Sequence, residues 1–325
     1  MKILIFEWLL GGGQWLDGTT ASRESGMQAQ GSQMLQALEQ DFSALGINVI
    51  ITLDSRIAYT PQPQTLSVPI AKKTSLHREL LKIAPEVDFI LLVAPETDGK
   101  LVRCCQWLCE FQHKFLSPQP SVVELCSDKS KTCRFLAENS IPTTQGILIE
   151  PDGNLLDRYA QVIPALLPGV LKPNCGAGGE ATFYVKDMAA LAELIGEQSE
   201  KVSRPMRLET WAEGTPTSTS LICGPAGYEL LKSTRQVFRG WPIGTYAGNQ
   251  ADLSDDQQSR ASQLAVRVGK SLPPTCGYLG IDMILGNKPG NDLVVEINPR
   301  LTSSYTLLRT LDSRNLAQTM LTCAT

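Results

Sequence analysis

Strand and helix patterns alternate over the first third of the chain. The predicted strands lie at residues 3–6, 47–53 and 89–93, and the predicted helices at about 27–45, 75–83 and 101–115. The first helical pattern stops at Gly46, a residue type that commonly ends helices because it adopts a left-handed conformation easily. Strands separated by helices favour a parallel sheet with helices packed against it. Residues 1–118 are therefore predicted to form an α/β lobe.

A proline pair, Pro118 and Pro120, follows this lobe and predicts a domain boundary. Beyond it, helices and strands no longer alternate regularly. The predicted elements are a helix opening near Ser127, strands at 146–150 and 169–173, several strands between 206 and 231, and a helix at about 254–271. The predicted fold class therefore combines α/β and α+β architecture, in three parts that comprise residues 1–118, 119–208 and 209–325.

Two alternating segments near the C-terminus, residues 280–285 and 293–300, flank a short turn rich in Gly, Asn and Pro. Strand side chains repeat every second residue, so Glu296 and Asn298 share a face, and a hairpin turn would pair Asp282 with Glu296. Opposed residues in such a pair have Cβ atoms about 5 Å apart. Two carboxylates this close repel unless a cation lies between them, and Mg²⁺ selects such ligands while leaving positions for phosphate oxygens. The alternative is a surface hairpin with an accidental acidic pair.

Composition restricts the functional class. The 325-residue chain has a net charge of −4 and no stripe of basic and aromatic residues, which argues against nucleic-acid binding. No apolar run reaches membrane-spanning length, and Glu7 interrupts the N-terminal run at residues 1–6, which is predicted to be a buried strand rather than a signal peptide. Nine cysteines, an odd number, indicate reduced thiols and a cytoplasmic location. With only two histidines in the chain, Cys104, Cys105 and Cys109 are interpreted as core thiols rather than metal ligands.

A glycine-rich loop at residues 174–180 lies between two predicted strands, so it differs from the strand–loop–helix of a Walker or dinucleotide motif. Its glycines would let backbone N–H groups approach a phosphate chain, and Lys172 would supply positive charge. The alternative is a flexible turn. Lys129, in the first turn of a predicted helix, is a second candidate phosphate contact, with a solvated lysine as the alternative. The glycine run at residues 11–13 lacks dinucleotide-binding spacing and favours close backbone approach to a substrate.

These candidates occur in an informative order. Two lysines and a glycine-rich loop precede an acidic segment at 209–214 and then the C-terminal hairpin. Over about residues 120–310 this order resembles the ATP-grasp superfamily. The resemblance implies an ATP-grasp fold, with an N-terminal parallel-sheet (pre-ATP-grasp) lobe and two α+β subdomains that grip ATP. It also implies ATP and Mg²⁺ as cofactors, with Mn²⁺ as a second candidate metal.

The resemblance further implies a role for each matching residue. The phosphate contacts would be Lys129, Lys172 and the loop glycines Gly176, Gly178 and Gly179. The hinge that holds adenine would be Glu209, Thr210, Trp211 and Ala212, through backbone groups and the Glu209 carboxylate. The metal ligands would be Asp282, Glu296 and Asn298. The family often has an acidic ribose contact several residues past the hinge, whereas residues 215–218 here are Thr, Pro, Thr and Ser, which leaves Glu213 as the candidate.

Three segments, residues 6–13, 24–27 and 296–305, look like one branch of this superfamily. That branch includes tyramine–glutamate ligases of methanofuran biosynthesis, and related proteins occur beside genes for one-carbon carriers. The resemblance implies glutamate ligation in the biosynthesis of a methanofuran- or tetrahydromethanopterin-type cofactor.

The family's chemistry transfers the γ-phosphoryl group of ATP to a carboxylate, which gives an acylphosphate and ADP, and an amine then displaces phosphate. The implied partners are a small acid and a small amine, with a homodimer as a candidate assembly. Arg300, directly after the metal ligands, is predicted to hold the acylphosphate or the oxyanion, and a structural pair with a carboxylate is the equal alternative. Arg235, on a predicted strand, is a second candidate for binding a carboxylate or phosphate.

Two other functional classes are alternatives to a ligase. A non-catalytic ATP-binding regulator would keep the fold without turnover, but the complete set of Asp282, Glu296 and Asn298 argues against it. An oxidoreductase would need a dinucleotide site in the first lobe, and the required G-x-G-x-x-G motif is missing from the sequence.

Overall fold

The computed structural model describes residues 1–17, 25–150, 158–197, 204–240 and 243–324. Within these ranges the strands are β1 (Lys2–Glu7), β2 (Asn48–Asp54), β3 (Leu66–Ile70), β4 (Phe89–Val93), β5 (Gly146–Ile149), β6 (Gly169–Pro173), β7 (Phe183–Val185), β8 (Met206–Thr210), β9 (Thr215–Gly224), β10 (Gly227–Leu230), β11 (Thr234–Arg239), β12 (Thr245–Gln250), β13 (Gly277–Leu285) and β14 (Leu293–Asn298). The helices are α1 (Gln14–Asp17), α2 (Ser25–Ala44), α3 (Leu76–Ile83), α4 (Lys100–Trp107), α5 (Pro120–Ser127), α6 (Lys129–Glu138), α7 (Met188–Glu197), α8 (Asp255–Ser271), α9 (Tyr305–Leu311) and α10 (Leu316–Ala324), with short 3₁₀ segments at Ala84–Glu86, Thr97–Gly99, Cys109–Lys114 and Ile163–Leu166.

The first sheet is parallel and has the strand order β3-β2-β1-β4. Ile3 and Ile5 of β1 belong to a core that contains α2 side chains, whereas Leu4 and Phe6 belong to a second core with α3 and α4. This division follows from the two-residue period of a strand. A central strand covered on both faces has to be apolar throughout, as residues 3–6 are. The predicted parallel-sheet lobe is confirmed.

The predicted helix at 101–115 is broken in the structure. Helix α4 ends at Trp107 because the backbone of Leu108 leaves the helical region, with φ −112° and ψ 21°, and a 3₁₀ segment follows. Cys104 and Cys105, before the break, are buried thiols as predicted, but Cys109, after it, is exposed. The core-thiol interpretation is therefore wrong for Cys109.

The second and third sheets are antiparallel. The second has the order β5-β8-β6-β7 and surrounds a small core built around Leu171 and Leu208. The third has the order β12-β11-β9-β13-β14, with β10 pairing with β9, and its core includes side chains of α5 and α8 such as Val122 and Leu264. Antiparallel sheets packed against helices match the predicted α+β part of the fold, which is confirmed.

The chain's C-terminal helices join the first lobe to the third sheet. Tyr305 at the start of α9 donates a hydrogen bond of 2.6 Å to Asp41 of α2, and Arg309 forms an ion pair with the same carboxylate. Met320 of α10 lies in one core with Ile3 and other residues of the first lobe. This shared core fixes the first lobe against the sheet that carries the C-terminal hairpin. Among the described helices, none is both long and apolar enough to cross a membrane.

Candidate nucleotide and metal site

A cleft of about 1360 Å³ lies between the second and third sheets, and the N-terminal part of α2 closes one end. Every residue assigned to the site from the sequence lines this cleft, apart from Arg235. The residues brought together are Lys129, Lys172, Gly176, Gly178, Gly179, Glu209, Thr210, Trp211, Ala212, Glu213, Asp282, Glu296, Asn298 and Arg300.

Asp282 and Glu296 face each other across the β13–β14 ladder, which confirms the predicted strand pairing. The ladder is irregular directly after this pair, where Met283 opposes Val294 and Val295 is left over. Such bulges are frequent near active sites, because they change the direction of side chains locally.

Burial raises the pKa of the Asp282 carboxyl to about 6, and repulsion from Glu296 adds to the shift. Hydrogen bonds from Ser218, Asn298 and Gln236 act in the opposite direction. Ionising a buried carboxyl group next to a second carboxylate costs free energy. A cation placed between the two carboxylates would lower that cost. The electrostatics thus favour a positive ligand at this pair.

Lys129 supplies one positive charge from the protein. It opens helix α6, whose preceding residue Asp128 caps the helix by accepting the Lys131 N–H at 2.9 Å. Its Nζ lies 3.2 Å from Oε2 of Glu296 and donates to the Gly176 carbonyl at 2.8 Å. Burial opposes the charge of Lys129, but the Glu296 carboxylate raises its pKa above the usual value. Burial would likewise raise the pKa of Glu296, and the Lys129 charge instead holds it below its usual value.

The donor set fits a hard divalent cation. Asn298 donates from Nδ2 to Oδ2 of Asp282 at 3.0 Å, which leaves its carbonyl oxygen as a ligand atom. In the part of the chain that the structure describes, no group of three or more His, Cys, Asp and Glu residues could hold a metal. Two carboxylates with one amide oxygen suit Mg²⁺ or Mn²⁺, which take oxygen ligands and complete their shell with water or phosphate.

Lys172 belongs to a buried charge network on the second sheet. Its Nζ lies 2.5 Å from Oε1 of Glu209, while Oε2 of Glu209 accepts from Thr144 at 2.9 Å and from Arg207 at 3.1 Å. Arg207 also donates to the Thr144 carbonyl at 3.2 Å. The sequence assigned the Glu209 carboxylate to adenine, but here it is occupied by two cations. Glu209 is ion-paired with both Lys172 and Arg207.

The glycine-rich loop, residues 174–180, contacts the first lobe. The Ala177 N–H donates to Oγ1 of Thr97 at 3.2 Å. Gly178 and Gly179 have φ of 69° and 74°, in the left-handed region that favours glycine, and a Cβ on Gly178 would lie 3.3 Å from Sδ of Met27. The loop therefore covers the cleft from one side and reaches the first lobe on the other.

The predicted hinge, residues 209–212, connects the second sheet to the third. The Thr210 N–H donates to the Gln145 carbonyl and the Trp211 N–H to the Pro168 carbonyl, both at 2.9 Å. The Trp211 ring packs edge-on against Tyr184, with ring centroids 5.2 Å apart. These contacts hold the hinge firmly against the second sheet, while its residues still line the cleft.

Arg300 combines the two alternatives that the sequence left open. It lines the cleft, and it also forms an ion pair with Glu96, which follows strand β4 of the first lobe. Its Nη2 donates to Oε2 at 3.0 Å, whereas the equally close approach of Nε to Oε1 lacks hydrogen-bond alignment. Because Thr97 is the next residue after Glu96, one short segment of the first lobe contacts both Arg300 and the glycine-rich loop.

The prediction that Arg235 binds substrate is corrected by the structure. Gln236 hydrogen bonds to Asp282 inside the cleft, so its neighbour Arg235 points to the other face of β11, as strand alternation requires. The Arg235 guanidinium is instead paired with Asp252, with Nε 3.0 Å from Oδ1.

Arg207 and Glu96 lie in the site's charge networks but were not among the residues predicted from the sequence. Arg207 alternates with Glu209 on one strand and so shares its face, a signal that a search for i, i+2 charge pairs would have found. Glu96 gave no such signal, because its partner lies 204 positions away in the chain.

Glu7 is buried at the end of β1, where burial raises the pKa of its carboxyl to about 7. Oε2 accepts the Leu10 N–H at 2.7 Å. The folded protein thus favours the protonated form, so the stability that this group contributes is present at acid pH and is lost as the pH rises towards about 7. The loss amounts to about 3 kcal/mol as an order of magnitude.

We therefore expect Glu7→Gln to stabilise the protein at pH 8 and to change its stability little at pH 5. Chemical denaturation at the two pH values measures the effect, with the exposed Glu86→Gln as the matched control. The raised pKa of Glu7 would be contradicted if the free energies of unfolding of Glu7→Gln and of the natural protein differed by the same amount at both pH values.

The chain belongs to the ATP-grasp family. A family model for an ATP-grasp domain matches residues 126–304, and a model for the pre ATP-grasp 3 domain matches residues 47–123. The predicted ATP-grasp fold with a pre-ATP-grasp lobe is therefore confirmed.

Individual proteins and a solved structure are also similar to this chain. A tyramine–L-glutamate ligase from Methanocaldococcus fervens is 20% identical over 312 residues, covering 95% of this chain and 89% of the relative. A D-alanine–D-alanine ligase from Francisella tularensis subsp. holarctica is 22% identical over 233 residues, covering 70% and 74%. The biotin carboxylase domain of Hydrogenobacter thermophilus 2-oxoglutarate carboxylase, solved with MgADP, ADP and bicarbonate, superposes with a TM-score of 0.71 at 15% identity, over 99% of this chain and 69% of that one. The chain thus resembles the ATP-grasp branch that includes tyramine–glutamate ligases.

Proposed function

We propose that this protein is an ATP-dependent carboxylate–amine ligase that forms an amide bond through an acylphosphate and releases ADP and phosphate. The observation that carries the proposal is one cleft in which two buried, charge-paired lysines meet a facing pair of carboxylates. Phosphoryl transfer depends on positioning and on stabilising negative charge, and this is the chemistry that such a cleft supplies.

Lys129 and Lys172 bind phosphate oxygens of ATP, and their carboxylate partners orient both ammonium groups. Residues 210–213 hold the adenosine part, whereas Glu209 positions Lys172. A divalent cation held by Asp282, Glu296 and Asn298 neutralises charge on the phosphate groups when it is bound.

The substrate carboxylate attacks the γ-phosphorus of ATP, which gives an acylphosphate and ADP. Arg300, held by Glu96, adds positive charge beside the metal ligands, where the acyl group carries its phosphate. The amine then attacks the acyl carbon, the C–O bond to phosphate breaks, and the nitrogen loses a proton. The glycine-rich loop covers this end and limits the access of water, which would otherwise hydrolyse the acylphosphate.

Glutamate is the proposed amino-acid substrate, and the proposed pathway is the biosynthesis of a one-carbon carrier of the methanofuran or tetrahydromethanopterin type. The support is the tyramine–L-glutamate ligase relative, because its alignment extends over nearly the whole chain rather than the ATP-binding part alone. A non-catalytic ATP-binding regulator is the weaker alternative, since it would have no need for the complete set of Asp282, Glu296 and Asn298.

Hydroxylamine provides a test that does not require the natural amine, because it converts an acylphosphate into a stable hydroxamate. Purified protein, ATP, Mg²⁺ and hydroxylamine are incubated with a panel of acids that includes L-glutamate and the other amino acids. We expect hydroxamate and ADP to form in equal amounts with at least one acid. Formation of AMP and pyrophosphate, or of no hydroxamate with any acid, would contradict the proposed reaction.

A further inference from the structure

The cleft contains one basic residue that differs from the others. Within the described residues, the basic side chains that line it are Lys129, Lys172, Arg239 and Arg300. The carboxylate partners of the two lysines and of Arg300 are Glu296, Glu209 and Glu96 respectively. The side chain of Arg239 has no hydrogen bond or ion pair with any part of the chain that the structure describes. Arg239 is exposed, so its charge is open to solvent ions or to a ligand.

Arg239 is the last residue of β11 and lies at the cleft. Arg235 and Arg239 are four residues apart and would share a face in a regular strand. The β11–β12 ladder shifts between Val237 and Phe238, where Ala247 of β12 is left without a partner. Arg235 is paired with Asp252 outside the cleft, whereas Arg239, at the end of the strand, lines it.

The surroundings of Arg239 suit the organic part of a small substrate. Phe238 is 42% exposed and packs edge-on against Tyr246, whose hydroxyl lies 3.0 Å from that of Ser303. Arg239 lies three residues beyond Gln236, which contacts Asp282, so it is about 10 Å farther along the strand. This distance separates it from the metal ligands, where the phosphate groups are expected.

We propose that Arg239 binds a second carboxylate of the acid or amino-acid substrate, one that is not activated. The inference rests on the proposed ligase function and adds the substrate class: molecules that carry an additional anionic group away from the reacting one. A planar guanidinium binds a carboxylate through two parallel hydrogen bonds, and the Phe238 and Tyr246 rings beside Arg239 offer apolar contacts to the rest of the substrate.

The test compares Arg239→Gln with Arg239→Lys and with Arg235→Gln, which removes the same charge outside the cleft. Rates of ADP release with hydroxylamine are measured with L-glutamate, L-glutamine and L-isoglutamine as substrates, so that each carboxylate is neutralised in turn.

We expect Arg239→Gln to raise the KM for L-glutamate by about tenfold or more, with the KM for ATP unchanged. Arg239→Lys should recover part of the loss, and Arg235→Gln should behave like the natural protein. Either L-glutamine or L-isoglutamine should be used equally well by the natural protein and by Arg239→Gln, because it lacks the carboxylate that Arg239 binds.

An unchanged KM for L-glutamate in Arg239→Gln would overturn the inference while leaving the ligase assignment intact. A parallel rise in the KM for ATP would also overturn it, because it would assign Arg239 to the nucleotide. Calorimetric titration of L-glutamate into protein loaded with ADP and Mg²⁺ decides the matter without turnover. The role of Arg239 would be refuted if the natural protein and Arg239→Gln bound L-glutamate with equal affinity, or if the natural protein did not bind it. Failure of the ligase function would be seen separately, because no acid would then give a hydroxamate.

Discussion

Glu296→Gln is expected to lower the rate of ADP release by at least about 100-fold while the protein remains folded. Glu296 lies opposite Asp282 in the hairpin, and the change removes one of the two carboxylates that we propose hold the metal. Glutamine has the same shape, and its Oε1 still accepts the hydrogen bond from Lys129. The fold should therefore survive, while phosphoryl transfer loses charge stabilisation. Steady-state ADP release and thermal unfolding are measured together.

Two variants make this result specific. Asp282→Asn should cause a loss of the same size, because it removes the opposing ligand. Glu229→Gln removes a carboxylate from a surface ion pair with Arg314 and should leave the rate unchanged. Natural activity in either Glu296→Gln or Asp282→Asn would refute the metal assignment, provided that the variant unfolds at the same temperature as the natural protein.

Lys172→Gln is expected to lower kcat/KM for ATP by about 100-fold. Lys172 is buried, and its only charged partner among the described residues is Glu209, 2.5 Å away, so its charge is pre-oriented for phosphate. The effect should appear in the KM for ATP and in the affinity for ADP, which is measured by calorimetry. Glu209→Gln should give a smaller loss, because it keeps the Lys172 side chain but orients it less firmly.

Lys82→Gln is the matched control for Lys172→Gln, since Lys82 makes an exposed helix pair with Glu79. Its expected effect on kcat/KM is negligible. If Lys172→Gln bound ADP as tightly as the natural protein, Lys172 would be a structural partner of Glu209 and Arg207 rather than a phosphate contact.

The sequence correctly predicted those parts of the site whose geometry depends on the local alternation of residues along strands. Alternation along two short segments is sufficient to place Asp282 opposite Glu296, and the structure has this pairing. The order of the remaining parts predicted that Lys129, Lys172 and the glycine-rich loop would meet in one cleft, although their positions in the chain do not by themselves determine contacts.

The sequence did not predict the parts of the site whose geometry depends on an irregular strand or on contacts between residues far apart in the chain. Arg235 and Arg239 would share a face of a regular strand, yet Arg235 lies outside the cleft and Arg239 lines it where β11 ends beside an irregular stretch of β12. The contacts of Glu96 with Arg300 and of Thr97 with the glycine-rich loop depend on how the first lobe packs against the rest of the chain. Such packing is a tertiary property that periodicity does not encode.

The central claim is that a substrate carboxylate becomes phosphorylated by ATP, and oxygen transfer tests it most directly. An acid that supports ADP release is labelled with ¹⁸O in its carboxylate and incubated with the protein, ATP, Mg²⁺ and an amine. The phosphate released is then examined by ³¹P NMR or mass spectrometry. The account predicts one ¹⁸O atom in each phosphate, because the C–O bond of the acylphosphate breaks when the amine attacks. Phosphate without label, or label found in AMP, would contradict it.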